Sequence, residues 1–331
     1  MTKLRYGALL GLAVLAPVAR AEAGDVLLRY WWAVGDQVRW TIEARMTGPV
    51  RPSDDFAYQT VDARVHLTLT VRALVTAVSP ADVATVRVSI DRLAGDVDLG
   101  AAGKVHLDGD AARNLFVAQA DNGDKLTAPG FGTAEGLGPN WTLNVDTLGR
   151  VLDSQGFNRL DERPVVRGGG TLLFMPGLIA VARGSGGNYL GSPCTQILGP
   201  ELPSMSVKPG DEWTTTSRGP LTHCRYVGDE TVDGVPCRRI AVTTDGARLE
   251  WGAPSGLSGG VPVDVHQSSV SLRTDFWLAQ DGCQVVRARS EGFDSATAES
   301  RASRVLEIFH PPPSATATWT DAKVELEIRR Q

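Results

Sequence analysis

"VHLTLTVRALV" (Val65 to Val75) decides how this chain is read. Val65, Leu67, Leu69, Val71, Ala73 and Val75 fall on one side; His66, Thr68, Thr70 and Arg72 fall on the other. Successive side chains of a strand point to opposite faces, so the pattern is a half-buried β-strand. "SPAD" (Ser79 to Asp82) supplies turn residues. Ala84, Val86, Val88 and Ile90 then alternate with Thr85, Arg87, Ser89 and Asp91. Two alternating runs around a short Pro-containing turn predict an antiparallel hairpin.

The same period continues in both directions. Upstream, Val38, Trp40, Ile42, Ala44 and Met46 share one side. Downstream, "WTLNVDTLGRVLD" (Trp141 to Asp153) reads as strand, turn, strand. "YVGDETVDGVPCRRIAVTT" (Tyr226 to Thr244) is a hairpin turning at Asp233-Gly234, and "DFWLAQDGCQVVRARS" (Asp275 to Ser290) turns at Asp281-Gly282. Val324, Leu326 and Ile328 alternate with Glu325 and Glu327 near the C-terminus. The one helix expected is a short segment from Asp110 to Ala118. The fold class is therefore mostly β: antiparallel sheets, curved or half-open, with very little helix.

Two stretches resemble each other: "WAVGDQVRWT" (Trp32 to Thr41) and "VKPGDEWTTT" (Val207 to Thr216). In the first half, Gly35-Asp36 leads a strand and Trp141-x-Leu143 precedes an Asp-to-Gly turn. In the second, Gly210-Asp211 leads a strand and Phe276-x-Leu278 precedes another. The order is shared and the spacing is not, so the first copy would carry about 40 additional residues internally. The expected organisation is a signal peptide over 1–23, a first β module over 24–160, a connector over 161–204 and a second module, related to the first, over 205–331. The connector has Gly-rich ends and an apolar middle, Leu172 to Val181, which must pack on the protein or on a ligand. Two sheets, each with one apolar face, would satisfy that face by facing each other, with this segment at the seam.

Lys3 and Arg5 precede the apolar run "ALLGLAVLAPVA" (Ala8 to Ala19), which is too short to span a bilayer. Ala19-Arg20-Ala21 and Ala21-Glu22-Ala23 are cleavage triplets, so the mature chain is expected to begin at Glu22 or Gly24, in the periplasm or outside the cell. No cysteine follows the run to accept a lipid, and no later segment reads as transmembrane. The net charge is −5, with scattered basic residues, which argues against a nucleic-acid partner.

The four cysteines, Cys194, Cys224, Cys237 and Cys283, predict two disulfides with three possible connectivities. The Asp233-Gly234 turn puts Cys237 opposite Glu230, so Cys224 and Cys237 are out of bonding reach. Cys194–Cys224 with Cys237–Cys283 is the preferred scheme. None of the spacings is Cys-x-x-Cys, and the five histidines, His66, His106, His223, His266 and His310, lack metal-ligand spacing. Asp108, Asp110, Asp121 and Asp124 read as turn residues rather than a calcium loop. Gly168 to Thr171 lacks the lysine of a phosphate loop. Gly256-Leu257-Ser258-Gly259-Gly260 matches G-x-S-x-G, but neither a strand before it nor a helix after it is expected. No catalytic residue, metal site or cofactor is assigned. Of the eight tryptophans, Trp31, Trp32, Trp40, Trp141, Trp213 and Trp277 lie on or near strands, where core packing is their expected use and a cavity lining the alternative.

"PELPSMSVKPGDEW" (Pro200 to Trp213) resembles the "LP…V…GD.W" signature of a family of uncharacterised secreted bacterial envelope proteins and lipoproteins. Their early "Y…GD" strand is matched by Tyr30 with Gly35-Asp36, and their "D..G.V" hairpin by Asp146 to Val151. More distantly the pattern is similar to periplasmic lipoprotein carriers of the Lol type, which implies a curved antiparallel sheet holding acyl chains. Many relatives are lipoproteins, and this chain departs from them in lacking the acceptor cysteine. The reading that results is a non-catalytic exported protein binding a lipid-like or other apolar ligand. Its alternatives are a packed structural or protein-interaction component of the envelope, and a hydrolase.

Overall fold

The computed structural model describes residues 24–52, 60–98, 100, 103–121, 123, 125–129, 140–155, 197–215, 221–245, 249–251, 263–300 and 315–331. Fifteen strands lie among them: β1 (Gln37–Pro52), β2 (Val61–Val78), β3 (Ala84–Asp98), β4 (Lys104–Asp110), β5 (Leu115–Ala120), β6 (Lys125–Pro129), β7 (Asn140–Val145), β8 (Val151–Gln155), β9 (Glu212–Thr215), β10 (Thr222–Val232), β11 (Val235–Asp245), β12 (Leu249–Trp251), β13 (Val263–Ala279), β14 (Val285–Ser300) and β15 (Ala315–Arg330). No helix occurs among the described residues. The expected helix at Asp110 to Ala118 is instead the β4–β5 hairpin. Asp110 Oδ1 accepts from the Ala112 and Arg113 amides, and Asn114 takes a left-handed conformation.

All strands join one open sheet in the order β6-β5-β4-β3-β2-β1-β15-β14-β13-β11-β10-β9, and every pairing is antiparallel. β7 and β8 continue from one end of β3, and β12 from one end of β13. The expected pair of facing sheets is therefore a single sheet. β1 and β15 join the halves edge to edge, with Trp40 opposite Arg330 and Met46 opposite Val324. The reason is hydrogen bonding: both long strands carry a free edge that alternation alone leaves unpartnered.

One face carries the core. Val38, Trp40, Ile42 and Met46 of β1, the odd residues from Ala63 to Val75 of β2, and Ala84, Val86, Val88 and Ile90 of β3 are buried in one cluster with Ile240, Leu278, Leu326 and Ile328. Irregular register near Asp91 and Asp321 shifts the phase, so that Leu93 and Val97 stay inward in β3 and Trp319 and Ala322 both do so in β15. Such bulges insert a residue without turning the apolar side outward.

Gly35 and Gly210 are built alike. Both sit at the third position of a turn with φ +93° and +101°. The Asp36 and Asp211 amides donate to Ala33 and Lys208, and their carboxylates accept from the amides of those same two residues. This is the type II turn, which wants glycine there. Each glycine amide then donates to the following long strand, to Val75 O and Tyr226 O, and those residues donate back to Asp36 O and Asp211 O. Beyond the turns the strand paths run in parallel: Trp141 of β7 pairs with Val88 of β3, and Phe276 of β13 pairs with Ile240 of β11. Strands β4 to β6 lie between β3 and β7.

Just before each turn the chain forms a strap, residues 25–34 and 197–209. The straps meet at an antiparallel bridge, Val26 with Val207. Tyr30 N donates to Thr147 O at 2.8 Å, Trp31 N to Gly282 O at 3.2 Å and Leu202 N to Leu148 O at 2.9 Å, so both straps are pinned by turns of the sheet.

Outside, β14 and β15 carry a charge cluster around Glu327. Its carboxylate accepts from Arg329 at 2.9 Å, Arg287 at 3.1 Å and Arg289 at 3.2 Å. The Arg329 hydrogen bond first, then those of Arg287 and Arg289, hold this carboxyl down at about 2, with 23% of the side chain exposed. The stabilisation is complete above the ordinary carboxyl value and is lost as pH falls from about 4.5 towards about 2. Glu327→Gln is expected to cost about 2 kcal/mol at pH 7 after allowance for solvent screening, and nothing near pH 2. Urea unfolding at both pH values checks this; an equal cost at both would refute the assignment.

Candidate functional site

The inner face is aliphatic over most of β1 to β3 but changes character in the second half. Thr222 of β10, Thr244 of β11, Thr274 of β13 and Ser290 of β14 all point inward and are buried. Thr222 lies opposite Thr244, and Thr274 opposite Ser290. Their hydroxyls approach to 3.3 and 2.8 Å. Threonine is β-branched and fits a strand whichever face it occupies, so the fold tolerates this polar row.

The strap residues Gly199, Pro200 and Glu201 cross over that row. Pro203 restricts Leu202 to extended angles, and Pro200 has its own fixed φ, which keeps "PELP" from coiling. Glu201 is 8% exposed. Trp213 Nε1 donates to its backbone oxygen at 2.8 Å. Thr215 Oγ1 donates to Oε2. The other carboxylate oxygen, Oε1, is buried without a hydrogen-bond partner. Between strap and sheet lies a cleft of about 30 Å³, lined by Glu201 of the strap, by Thr215, and on the sheet by Thr222, Thr244 and Thr274 interleaved with Val242, Leu272 and Phe276: Thr244 lies opposite Leu272 and Val242 opposite Thr274. By the ~10–15 Å³ that a water requires, it holds a water or two and no acyl chain while the strap is down. A second cleft of about 10 Å³ runs beneath Tyr30, Trp32 and Trp40, with Trp32 Nε1 buried and unpaired.

No protein-family model matches the sequence. No curated protein matches it either. Among solved structures, the chain is similar to lipovitellin, from a study of lipid-protein interactions in that protein. The likeness covers 91% of this chain at 8% identity with a TM-score of 0.38, and the chain spans 25% of the lipovitellin chain. It is also similar to a DUF1329 family protein from Desulfovibrio piger ATCC 29098, at 10% identity and a TM-score of 0.17, over 86% of this chain and 84% of the other.

Of the preferred scheme, the Cys237–Cys283 bond is not formed. Cys237 and Cys283 are free and buried, Cys224 is buried, and Cys194, the partner expected for Cys224, lies outside the described residues. Cys237 is opposite Glu230, as the turn predicts. It packs with Ala279 and Val286 in a small cluster, while Cys283 belongs to the main core, so the sheet separates the two thiols. Burial pushes both thiols up, which keeps them protonated. Cys224 lines the Glu201 cleft.

Trp40 is a core residue whose Nε1 donates to Val285 O at 2.8 Å. Trp31 is exposed, and Trp277 lies on the outer face beneath Arg239 and Arg287. His66 and His223 are exposed on their strands, and His106 pairs with Asp96. Asp108 and Asp110 bind Arg113 in the β4–β5 turn, which is the structural use expected of them. Among the described residues, no group of three or more His, Cys, Asp or Glu could hold a metal. The segment Leu172 to Val181, Gly168 to Thr171, the Gly256 to Gly260 motif, His310 and Asp124 lie outside the described residues. No described helix is long and apolar enough to cross a membrane. Sequence reasoning missed Glu201 and the threonine row. Thr222, Cys224 and Tyr226 share one phase in the sequence, and that phase was the available signal.

Proposed function

We propose that this is a non-catalytic, exported envelope protein that binds a lipid-like or other apolar ligand against the inner face of its sheet. The observation that supports this most is the cleft between the 197–202 strap and the second half of the sheet. Threonine hydroxyls and the apolar side chains of Val242, Leu272 and Phe276 are interleaved along its floor beneath Glu201, so it suits a molecule with both characters. The chain is divided into two related β modules, 24–160 and 205–331, a division that the matched Gly-Asp turns and strand paths support, and the cleft lies against the second of them. Ligand entry requires the strap to lift, because the closed cleft is too small for an alkyl chain.

The smallness of both clefts favours a second reading, a packed structural or protein-interaction component. One experiment separates the two. Native mass spectrometry of gently purified protein is expected to show an adduct of lipid mass. A fluorescent fatty-acid analogue is expected to bind saturably with a Kd of about 1–10 µM, corresponding to roughly −7 to −8 kcal/mol. No adduct, together with no saturable binding, would leave the packed component as the function.

A further inference from the structure

Glu201 poses a chemical problem that the binding of an apolar tail does not solve. Its Oε1 is buried and unpaired, although every buried acceptor left without a donor is costly. Among the described residues that line its cleft there is no basic side chain: the remaining polar groups are the hydroxyls of Thr215, Thr222, Thr244 and Thr274 and the Cys224 sulfur. This described lining favours a cation over an anion by charge. A divalent cation prefers six or more oxygen ligands with several carboxylates among them, and this cleft offers one carboxylate. A guanidinium is a broad planar fork with five donors, more than one carboxylate oxygen and the scattered hydroxyls of this cleft match. A primary ammonium is compact, positive and carries three donors. It matches one carboxylate oxygen and neighbouring hydroxyl oxygens. Val242, Leu272 and Phe276 supply apolar surface for the methylenes that follow the nitrogen.

We infer that the Glu201 cleft recognises the primary ammonium headgroup of an amphiphile. This rests on the apolar-ligand reading and deepens it by naming the headgroup. The strap delivers the carboxylate and the threonine row the hydroxyls, and the bound strap stands higher than the closed one by what the methylenes behind the nitrogen require. Binding then has two parts: a tail term shared by all amphiphiles of one length, and a headgroup term that needs both positive charge and N–H donors.

Isothermal titration with three probes of equal tail length reads these terms separately: dodecylamine, dodecyltrimethylammonium and dodecanol, at neutral pH where the amine is protonated. Dodecylamine is expected to bind at least about tenfold tighter than both others, since charge-assisted hydrogen bonds exceed neutral ones and the trimethylated head has no N–H. In Glu201→Gln the ratio of dodecylamine to dodecanol affinity is expected to fall to about one, and in Thr244→Val to an intermediate value. The wild-type ratios stand as a test even if a variant fails to fold. Equal binding of dodecylamine and dodecanol overturns the headgroup inference and leaves the apolar-ligand reading intact. So does equal binding of the two cations, or a ratio that survives Glu201→Gln. Binding of none of the three overturns both.

Discussion

Gly292→Ala is expected to destabilise the protein by about 3 kcal/mol or more, among the larger effects of a single methyl group. Gly292 lies on β14 opposite Leu272 of β13. A Cβ placed on it would stand 1.9 Å from Ser271 O and 2.9 Å from Leu272 Cα. Both obstacles are backbone, so no rotamer change relieves them. The strands would have to separate in the middle of the sheet and give up ladder hydrogen bonds on the way. Gly95 of β3 is in the same situation in the first half, with its Cβ at 2.2 Å from His66 O, so Gly95→Ala should behave alike. Gly282→Ala is the control, because its nearest neighbour would be Trp31 Cβ at 3.8 Å. Thermal melting should show a loss of about 6 °C or more for Gly292→Ala and almost none for Gly282→Ala. Matching melting temperatures would refute the close-approach account.

These glycines mark a limit of what could be read beforehand. Alternation in Val65 to Val75 identified the strand and its buried face, because period two is a local property of the backbone. The Asp233-Gly234 turn identified a register, since both residues take positive φ, +51° and +81°, and a two-residue turn then puts Glu230 opposite Cys237. The Gly-Asp stretches identified two equivalent turns. Pairings distant in sequence were another matter. Nothing in Trp40 or Arg330 announces that they lie opposite each other, and that single pairing turns two expected sheets into one. At Asp110 to Ala118, the alanines and arginine favour helix weakly, and the hairpin's ladder overrides so small a preference. The cleft was least legible. A glutamate between prolines is normally solvated, and threonines in a strand normally face out. Their burial follows from the strap crossing the sheet, which is a tertiary event.

Tyr30→Ala is expected to cost about 4 kcal/mol, the range for removing a large buried aromatic, and to loosen both straps. Tyr30 is 1% exposed. Its ring fills a slot between Gly149, in the β7–β8 turn, and Gly199, in the second strap: Cβ atoms there would stand 2.5 Å from its Cε2 and 2.2 Å from its hydroxyl. The hydroxyl donates to Pro200 O at 2.8 Å, one residue before the Glu201 carboxylate. The ring also stacks on Trp32 with centroids 5.8 Å apart. Tyr30 thus fastens the first strap to the second at the edge of the cleft. Tyr30→Phe keeps the ring and strands Pro200 O, so it should cost only about 1–2 kcal/mol. Urea unfolding gives both values. The two variants should also differ in the native state: Tyr30→Ala should raise the binding of a hydrophobic dye while the strand signal in circular dichroism persists, and Tyr30→Phe should leave the dye signal near wild type. If Tyr30→Ala costs no more than Tyr30→Phe, the ring is not the peg. If it is costly but admits no dye, the straps hold without Tyr30, through Val26–Val207, Leu202–Leu148 and the Arg29 hydrogen bonds to Pro203 O and Ser204 O, and the cleft must open by some route other than release of Tyr30.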